Sequence, residues 1–216
     1  RGKHTGKTAA FVRACISYCF ITIPAMEDVF ARLNDYLLVA EVALSNHCVS
    51  QADSFLRAAI TLVQEVPSPP TQSPSTSTSI SAAISSEESL LSFLSNFLAA
   101  SILAPGHPEI GPCYLFQGLM KVLKDYPWVR GSAVRGQVYV RILNALAALS
   151  QQKLIYHSAS GGLDANDSMY KGDSEYLAEL QRVAVEAVGQ VLEVLQSLKE
   201  EPDSVTAQVR IARDTF

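Results

Sequence analysis

The chain has 216 residues, enough for one large domain or one continuous array of repeats. Hydrophobic residues make up 48% of it and charged residues 18%, which excludes a chain that is disordered throughout. The net charge of −4 and the scattered Lys and Arg residues argue against nucleic acid as a partner.

The chain does not begin with Met, so we expect it to be part of a longer protein. No uncharged run reaches the roughly 18 residues that a membrane span needs, and Arg13 and Glu27 bracket the longest apolar stretch near the N-terminus. Four cysteines are too few for a disulfide scaffold in a chain of this length. We therefore expect a soluble segment in a reducing compartment.

Apolar residues recur with a helical period along most of the chain. The first predicted helix covers residues 8–23 and stops at Pro24. Pro24 is expected in the first turn of the second helix, with Glu27 and Asp28 near its N-terminus. The predicted inward face of the second helix is Phe30, Leu33, Leu37, Ala40 and Leu44.

Two patterns of Ser followed three residues later by an acid resemble capping boxes and predict the next two helix starts. Ser50 with Asp53 opens the third helix, and Ser85 with Glu88 opens the fourth. The third helix is predicted to bury Ala52, Phe55, Leu56, Ala59, Ile60 and Val63. The fourth is predicted to bury Leu90, Leu94, Phe97 and Leu98.

Three further helices are predicted from the same periodicity. The inward residues of the fifth and sixth are Leu115, Leu119, Val122, Tyr126, Tyr139, Ile142, Leu146 and Leu149. The longest helix runs from about Asp173 to Lys199, with Leu177, Leu180, Ala184, Ala187, Val191, Leu195 and Leu198 in register. Because no alternating strand pattern bounded by turns is present, the predicted fold class is all-α.

Two segments interrupt the helical pattern. Residues 67–86 are rich in Ser, Thr and Pro, which predicts a disordered insertion between helices rather than a domain boundary. Residues 157–173 form a long predicted loop between two long helices. We interpret residues 1–216 as a single piece of an irregular, HEAT-like α-solenoid of stacked antiparallel helical hairpins.

The opening residues contain part of a phosphate-binding loop, Gly6-Lys7-Thr8. Such a loop needs an earlier glycine so that its backbone amides can wrap the phosphates, but Arg1 stands at that place and Gly2 is one residue late. The motif also needs a preceding strand, whereas helices follow here. We interpret these residues as a polar start to a helix, with Thr8 near its cap.

Two metal-site patterns are incomplete. Asp164, Asn166, Ser168 and Glu175 fall at places 1, 3, 5 and 12 of a calcium loop. Met169 occupies the place that needs Gly, and Lys171 adds positive charge to the would-be cage. A turn-rich loop that ends at Asp173 explains the same residues.

Zinc ligands would have to come from Cys15 and Cys19, one helical turn apart, together with His47 and Cys48. Adjacent His and Cys ligands are awkward, and an isolated helical Cys is usually a small buried hydrophobe. No catalytic motif is present, so we predict no catalytic residue, no metal and no cofactor, and we expect the chain not to be an enzyme.

Four blocks of sequence together carry a resemblance to a known family. They are FVRACISYCFITIP (11–24), ALSNHCVSQADSFLRAAITLVQEVP (43–67), HPE (107–109) and NDSMYKGDSEYLAE (166–179). In their order and spacing they resemble the C-terminal part of the vacuolar protein sorting 35-like family, the large subunit of retriever. Residues 32–63 are similar, more distantly, to the large subunit of retromer.

The resemblance implies a noncatalytic scaffold for endosome-to-plasma-membrane recycling, cytoplasmic and peripheral on endosomes. It implies that this C-terminal solenoid holds a small subunit with a metallophosphoesterase fold. It further implies an arrestin-like subunit bound through an N-terminal half that lies outside this chain. Commander (CCC) components and a sorting nexin complete the implied partners, and membrane association is implied only through the complex.

We predict that partner contacts include Asp167, Tyr170, Asp173 and Tyr176, because their block matches the family and is polar. The alternative is that Tyr170 and Tyr176 only pack their loop onto the array. Two other functions remain open at this point, a tetratricopeptide-like adaptor that binds peptides in a groove and a nucleotide-dependent enzyme.

Overall fold

The computed structural model describes residues 5–67, 77–107, 109–129, 132–151, 166–170, 172–199 and 205–215, with the backbone alone at 77–83 and 167. Within these ranges the regular elements are helices, and one β-bridge joins His107 to Gly111. The helices are α1 (Gly6–Thr22), α2 (Val29–Ser45), α3 (Val49–Leu62), α4 (Ser77–Leu103), α5 (Tyr114–Asp125), α6 (Ala133–Leu149), α7 (Asn166–Met169), α8 (Ser174–Lys199) and α9 (Val205–Thr215). Short 3₁₀ turns follow α1 (Ile23–Ala25) and α3 (Val63–Glu65).

The first two helices begin at side-chain caps. The Thr8 N–H donates to Thr5 Oγ1 at 3.3 Å, and the Ala31 N–H donates to Asp28 Oδ1 at 3.0 Å. Each cap satisfies a backbone donor that has no partner within its helix. The predicted place of Pro24 was wrong, since Pro24 lies in the 3₁₀ turn before α2 and Asp28 caps that helix.

The predicted capping box at the start of α3 was also wrong. Cys48 occupies the cap position and provides no side-chain hydrogen bond there. The carboxylate of Asp53 instead accepts from Arg57 Nε at 2.9 Å and from the Tyr114 hydroxyl at 2.6 Å. Asp53 therefore ties α3 to the start of α5 and does not cap the start of α3.

Helix α4 begins earlier than the sequence pattern predicts. It starts at Ser77, so residues 77–86 of the predicted disordered insertion are helical, and residues 68–76 lie outside the described residues. Ser85 and Glu88 consequently lie inside the helix and do not cap it. The neighbouring Glu87 is buried, and its carboxylate accepts hydrogen bonds from the Val129 N–H at 2.6 Å and from the Ser132 hydroxyl.

The described helices form two layers. Helices α2, α4, α6 and α9 lie side by side in one layer, and α3, α5 and α8 lie in the other. Pairing is most extensive for α2 with α3 and for α6 with α8, while α1 packs on α2 and α3 at one end. Only residues 46–48 separate α2 from α3, so these two helices run antiparallel. The prediction of an all-α solenoid is confirmed.

The core lies between the two layers. The predicted inward residues of α3, α4, α5 and α6 are all buried, and in α2 only Phe30 is less than fully buried. The prediction for α8 was off by a small rotation, because Leu177 is exposed while Tyr176, Val183 and Val194 are buried. Along the buried face of a helix, successive inward residues are three or four positions apart. The sequence alone does not show which of the two spacings applies at each position.

The predicted loop at 157–173 contains a short helix. Residues 166–169 form α7, and the Tyr170 N–H donates to the Asn166 carbonyl at 2.9 Å. Residues 152–165 and 171 lie outside the described residues. The described part of this segment is therefore a helical turn that leads into α8.

Candidate functional site

Two connecting segments are joined by hydrogen bonds, and we call them together the two-loop edge. The described residues of the two-loop edge are 104–107 and 109–113 in the first segment and 166–170 and 172–173 in the second. Asn166, only 2% exposed, joins them. Its Oδ1 accepts from the Gly106 N–H at 2.7 Å, and its Nδ2 donates to the Ala104 carbonyl at 3.3 Å. One amide side chain thus satisfies a donor and an acceptor of a loop sixty residues earlier in the chain.

The loop before α5 is held in a compact turn by its own backbone. The His107 N–H donates to the Gly111 carbonyl at 3.2 Å, and the Gly111 N–H returns a bond to the His107 carbonyl at 2.9 Å. Gly111 has φ 120°, which side-chain-bearing residues rarely adopt. A Cβ at Gly106 would lie 2.6 Å from the Cα of Pro112, so this position also needs glycine.

The second segment is anchored by two stacked tyrosines. The rings of Tyr170 and Tyr176 lie 5.1 Å apart at 12°. Tyr176 is buried, and its hydroxyl donates to the Leu149 carbonyl at the end of α6 at 3.1 Å. Asp173 Oδ1 accepts from the Glu175 N–H at 2.9 Å, which satisfies a backbone donor in the first turn of α8.

The four predicted contact residues thus lie in one short stretch but in different surroundings. Asp167 lies in α7, and its side chain is outside the described ones. Tyr170 is half-buried and Asp173 is exposed, so both reach the surface. Tyr176 packs the segment onto α6, as the packing alternative requires. Contact with a partner stays a prediction for all four.

Large apolar side chains are exposed on both segments of the two-loop edge. Ile110 is 53% exposed and precedes Gly111, and Met169 is 46% exposed and precedes Tyr170. Isolated exposed hydrophobes are ordinary, but these two belong to segments joined by the buried Asn166. The two-loop edge therefore presents apolar side chains on segments that the hydrogen bonds of Asn166 hold together.

A polar cluster lies beside this edge. Tyr114, whose hydroxyl donates to Asp53, lies under the Arg57 guanidinium at 5.0 Å and against the His107 ring at 5.7 Å. Burial, and then the hydrogen bond to Asp53, raise the pKa of Tyr114 well above its ordinary value. Tyr114 is therefore a neutral hydrogen-bond donor at physiological pH and has a structural role.

The buried thiol at the end of the first segment, Cys113, is unreactive. Burial, with the charge of Glu179 as a smaller cause, raises the pKa of Cys113 to about 12. Since the thiolate is the reactive form, Cys113 is not a nucleophile at neutral pH.

Comparison with known proteins gives the family. The family model described as the VPS35L C-terminal domain matches residues 1–216. The chain belongs to the VPS35L C-terminal domain family. A VPS35 endosomal protein-sorting factor-like protein of Danio rerio is 43% identical over 217 residues, which cover 100% of this chain and 21% of that protein.

Other members of the VPS35L family also match this chain over nearly its whole length. The Homo sapiens VPS35 endosomal protein-sorting factor-like protein is 43% identical over 202 residues, covering 93% of this chain and 20% of that protein. The one from Dictyostelium discoideum is 38% identical over 206 residues, covering 95% of this chain and 20% of that protein. The chain thus spans about a fifth of the length of the curated relatives that it matches.

The structure brings together two of the blocks that carried the resemblance to the VPS35-like family. His107 and Glu109 of one block lie on one segment of the two-loop edge, and the block that starts at Asn166 begins on the other. Sequence reasoning missed Asn166 as the residue that joins them. A buried Asn cannot be recognised from one sequence when its partners are backbone groups far away in the chain, and no signal for it is present.

The other candidate sites have different roles in this VPS35L-family structure. Gly6-Lys7-Thr8 forms the first turn of α1, and no strand precedes it within the described ranges. The Asn166 amide, which a calcium loop would require, is bonded to backbone, and Asp164 lies outside the described residues. Among the residues that the structure describes, no group of three His, Cys, Asp or Glu side chains could hold a metal.

Proposed function

We propose that this chain is a noncatalytic, HEAT-like scaffold segment of an endosomal protein-sorting complex, cytoplasmic and peripheral on endosomes. The observation that carries the proposal is the match of the VPS35L C-terminal domain over residues 1–216. The names of the relatives describe endosomal protein sorting. A two-layered helical array supports such a role, because its long surface binds partners through dispersed side chains rather than through a catalytic cleft.

The finer proposal is that this segment holds a small subunit with a metallophosphoesterase fold for endosome-to-plasma-membrane transport. An arrestin-like subunit would bind through the N-terminal half of the full-length protein. Commander (CCC) components and a sorting nexin would join through the assembled complex. Any metal then belongs to the small subunit, and this chain itself binds no cofactor and no nucleic acid.

We place the contact with the small subunit at the two-loop edge. Ile110 and Met169 supply exposed apolar anchors there, and Tyr170 and Asp173 add an aromatic ring and a carboxylate at the surface. Apolar anchors surrounded by polar groups are the usual centre of a protein interface. Because Asn166 holds both segments in place, binding would order few additional residues.

The test is binding of the full-length protein to the purified small subunit, measured by calorimetry. We expect association, and we expect Ile110→Asp combined with Met169→Asp to weaken it by about tenfold or more. The matched control is Val185→Asp on α8. Val185 is also exposed, and it lies about 16 Å along the helix from Ser174.

The outcomes separate the two parts of the proposal. Failure of the unsubstituted protein to bind would exclude the small subunit as a partner. Binding that is weakened equally by the double variant and by Val185→Asp would place the contact elsewhere on the array.

A further inference from the structure

Helix α1 has two apolar faces. On one side Val12, Ile16, Cys19 and Ile23 pack toward the core, and the ring of Phe20 meets that of Phe55 edge-on at 5.2 Å. On the other side apolar residues follow helical spacing and are exposed. We call this second set the outer stripe, and its members are Phe11, Ala14, Cys15, Tyr18 and Ile21.

The outer stripe is unusual for a helix that faces water. Phe11 is 70% exposed, Tyr18 67% and Ile21 75%. On α8 the exposed apolar residues Leu177, Val185 and Leu192 are interspersed with the charged residues Glu175, Arg182, Glu186 and Glu193. All members of the outer stripe, in contrast, are uncharged. A helix that is apolar on both sides is characteristic of a buried position.

A membrane is one possible environment for such a helix. Residues Gly6–Ala25 are long and apolar enough to cross a bilayer, with 20 residues and a mean hydropathy of 1.4. However, α1 packs along its side against the array, because the side chain of Gln51 on α3 donates to Ser17 Oγ at 2.6 Å. Arg13 would also lie within the span, where a charge is costly. These contacts favour a protein neighbour over lipid.

The family relationship bears on what that neighbour is. The chain matches a C-terminal domain and covers about a fifth of its relatives, so most of their length has no counterpart here. Within the array each helix of a layer packs on the next, as α2, α4 and α6 do. A further helix that packs on α1 in this way would cover the outer stripe.

We propose that the outer stripe is buried against helices of the same chain that precede residue 1 in the full-length protein. Helix α1 is then an interior helix of a longer array, and the stripe is the seam between this segment and the one before it. The neighbouring helix presents an apolar face of matching length, because the stripe extends over about three turns from Phe11 to Ile21.

Cys15 provides a direct test because it lies within the stripe. The full-length protein is treated with iodoacetamide under native conditions, and modification of the peptide that contains Cys15 is followed by mass spectrometry. The reference is a Val185→Cys variant, which places a thiol at an exposed position of α8. We expect Cys15 to react about tenfold more slowly than the reference in the native protein, and at the same rate after unfolding in urea.

A second variant tests whether the stripe itself provides the protection. Tyr18→Ser combined with Ile21→Ser removes apolar contacts from the seam without altering the core-facing side of α1. We expect the reactivity of Cys15 in this full-length variant to rise toward that of the reference thiol. Unchanged protection would mean that the outer stripe does not form the seam, and would overturn the proposal.

Three other results would also overturn it. Rapid modification of Cys15 in the native full-length protein would show that the stripe is open to solvent. Protection that disappears on dilution would assign the stripe to a second copy of the chain. Protection that appears only when phosphatidylcholine vesicles are added would assign it to a membrane.

Discussion

Substitution of Asn166 by Ala tests the joint between the two segments of the two-loop edge. The substitution removes both hydrogen bonds of a buried amide, which leaves the Gly106 N–H and the Ala104 carbonyl without that partner. A buried polar group left unsatisfied costs about 1–3 kcal/mol. With two such groups, and with water able to satisfy part of the loss, we expect a destabilisation of about 2–4 kcal/mol.

The assay is urea-induced unfolding of the chain, followed by circular dichroism, together with hydrogen exchange at the Gly106 amide. Asn144→Ala is the matched control, because Asn144 is exposed on α6 and its loss should change stability by no more than about 0.5 kcal/mol. Exchange at Gly106 should accelerate in the Asn166 variant, while amides in the middle of α3 should respond less. Equal stability of the two variants would refute the role assigned to Asn166.

Three further substitutions have definite expected results in the same unfolding assay. Glu87→Ala should destabilise the chain by about 1–3 kcal/mol, because the Val129 N–H loses its acceptor, while Glu88→Ala, an exposed neighbour, should have little effect. Gly111→Ala should cost about 1–3 kcal/mol because of the backbone angle at that position. The raised pKa of Cys113 contributes stability that is complete below pH 9.0 and is lost as the pH rises toward about 12, so Cys113→Ala should flatten the decline in stability over that range.

The helices and their inward faces could be predicted because periodicity is a local property of the sequence. Each of α3 to α6 buries its predicted residues, which requires only that apolar positions recur every three or four residues. The start of α4 was missed because Ser, Thr and Pro dominate the composition of residues 67–86. Ile80 and Ile84 nevertheless lie four residues apart, which is a helical spacing.

The polar residues that determine the connections could not be predicted in the same way. The capping-box pattern pointed to Ser85 and Glu88, whereas the carboxylate that matters is the adjacent Glu87, with partners at Val129 and Ser132. Those partners lie 42 and 45 residues away, and no local pattern brings them together. The joint at Asn166 has the same origin. Secondary structure therefore follows from local sequence here, whereas the connections between helices depend on the tertiary arrangement.

The same joint has a consequence for the proposed interface. If partner contacts lie at the two-loop edge, the affinity depends both on the exposed side chains and on how firmly the segments are held before binding. Loss of Met169 would remove contact area and leave the segments in place. Loss of Asn166 would leave the exposed side chains intact and add an ordering cost, so the two losses should weaken binding for different reasons. Hydrogen exchange at Gly106 in the free protein distinguishes them, because only the second changes it.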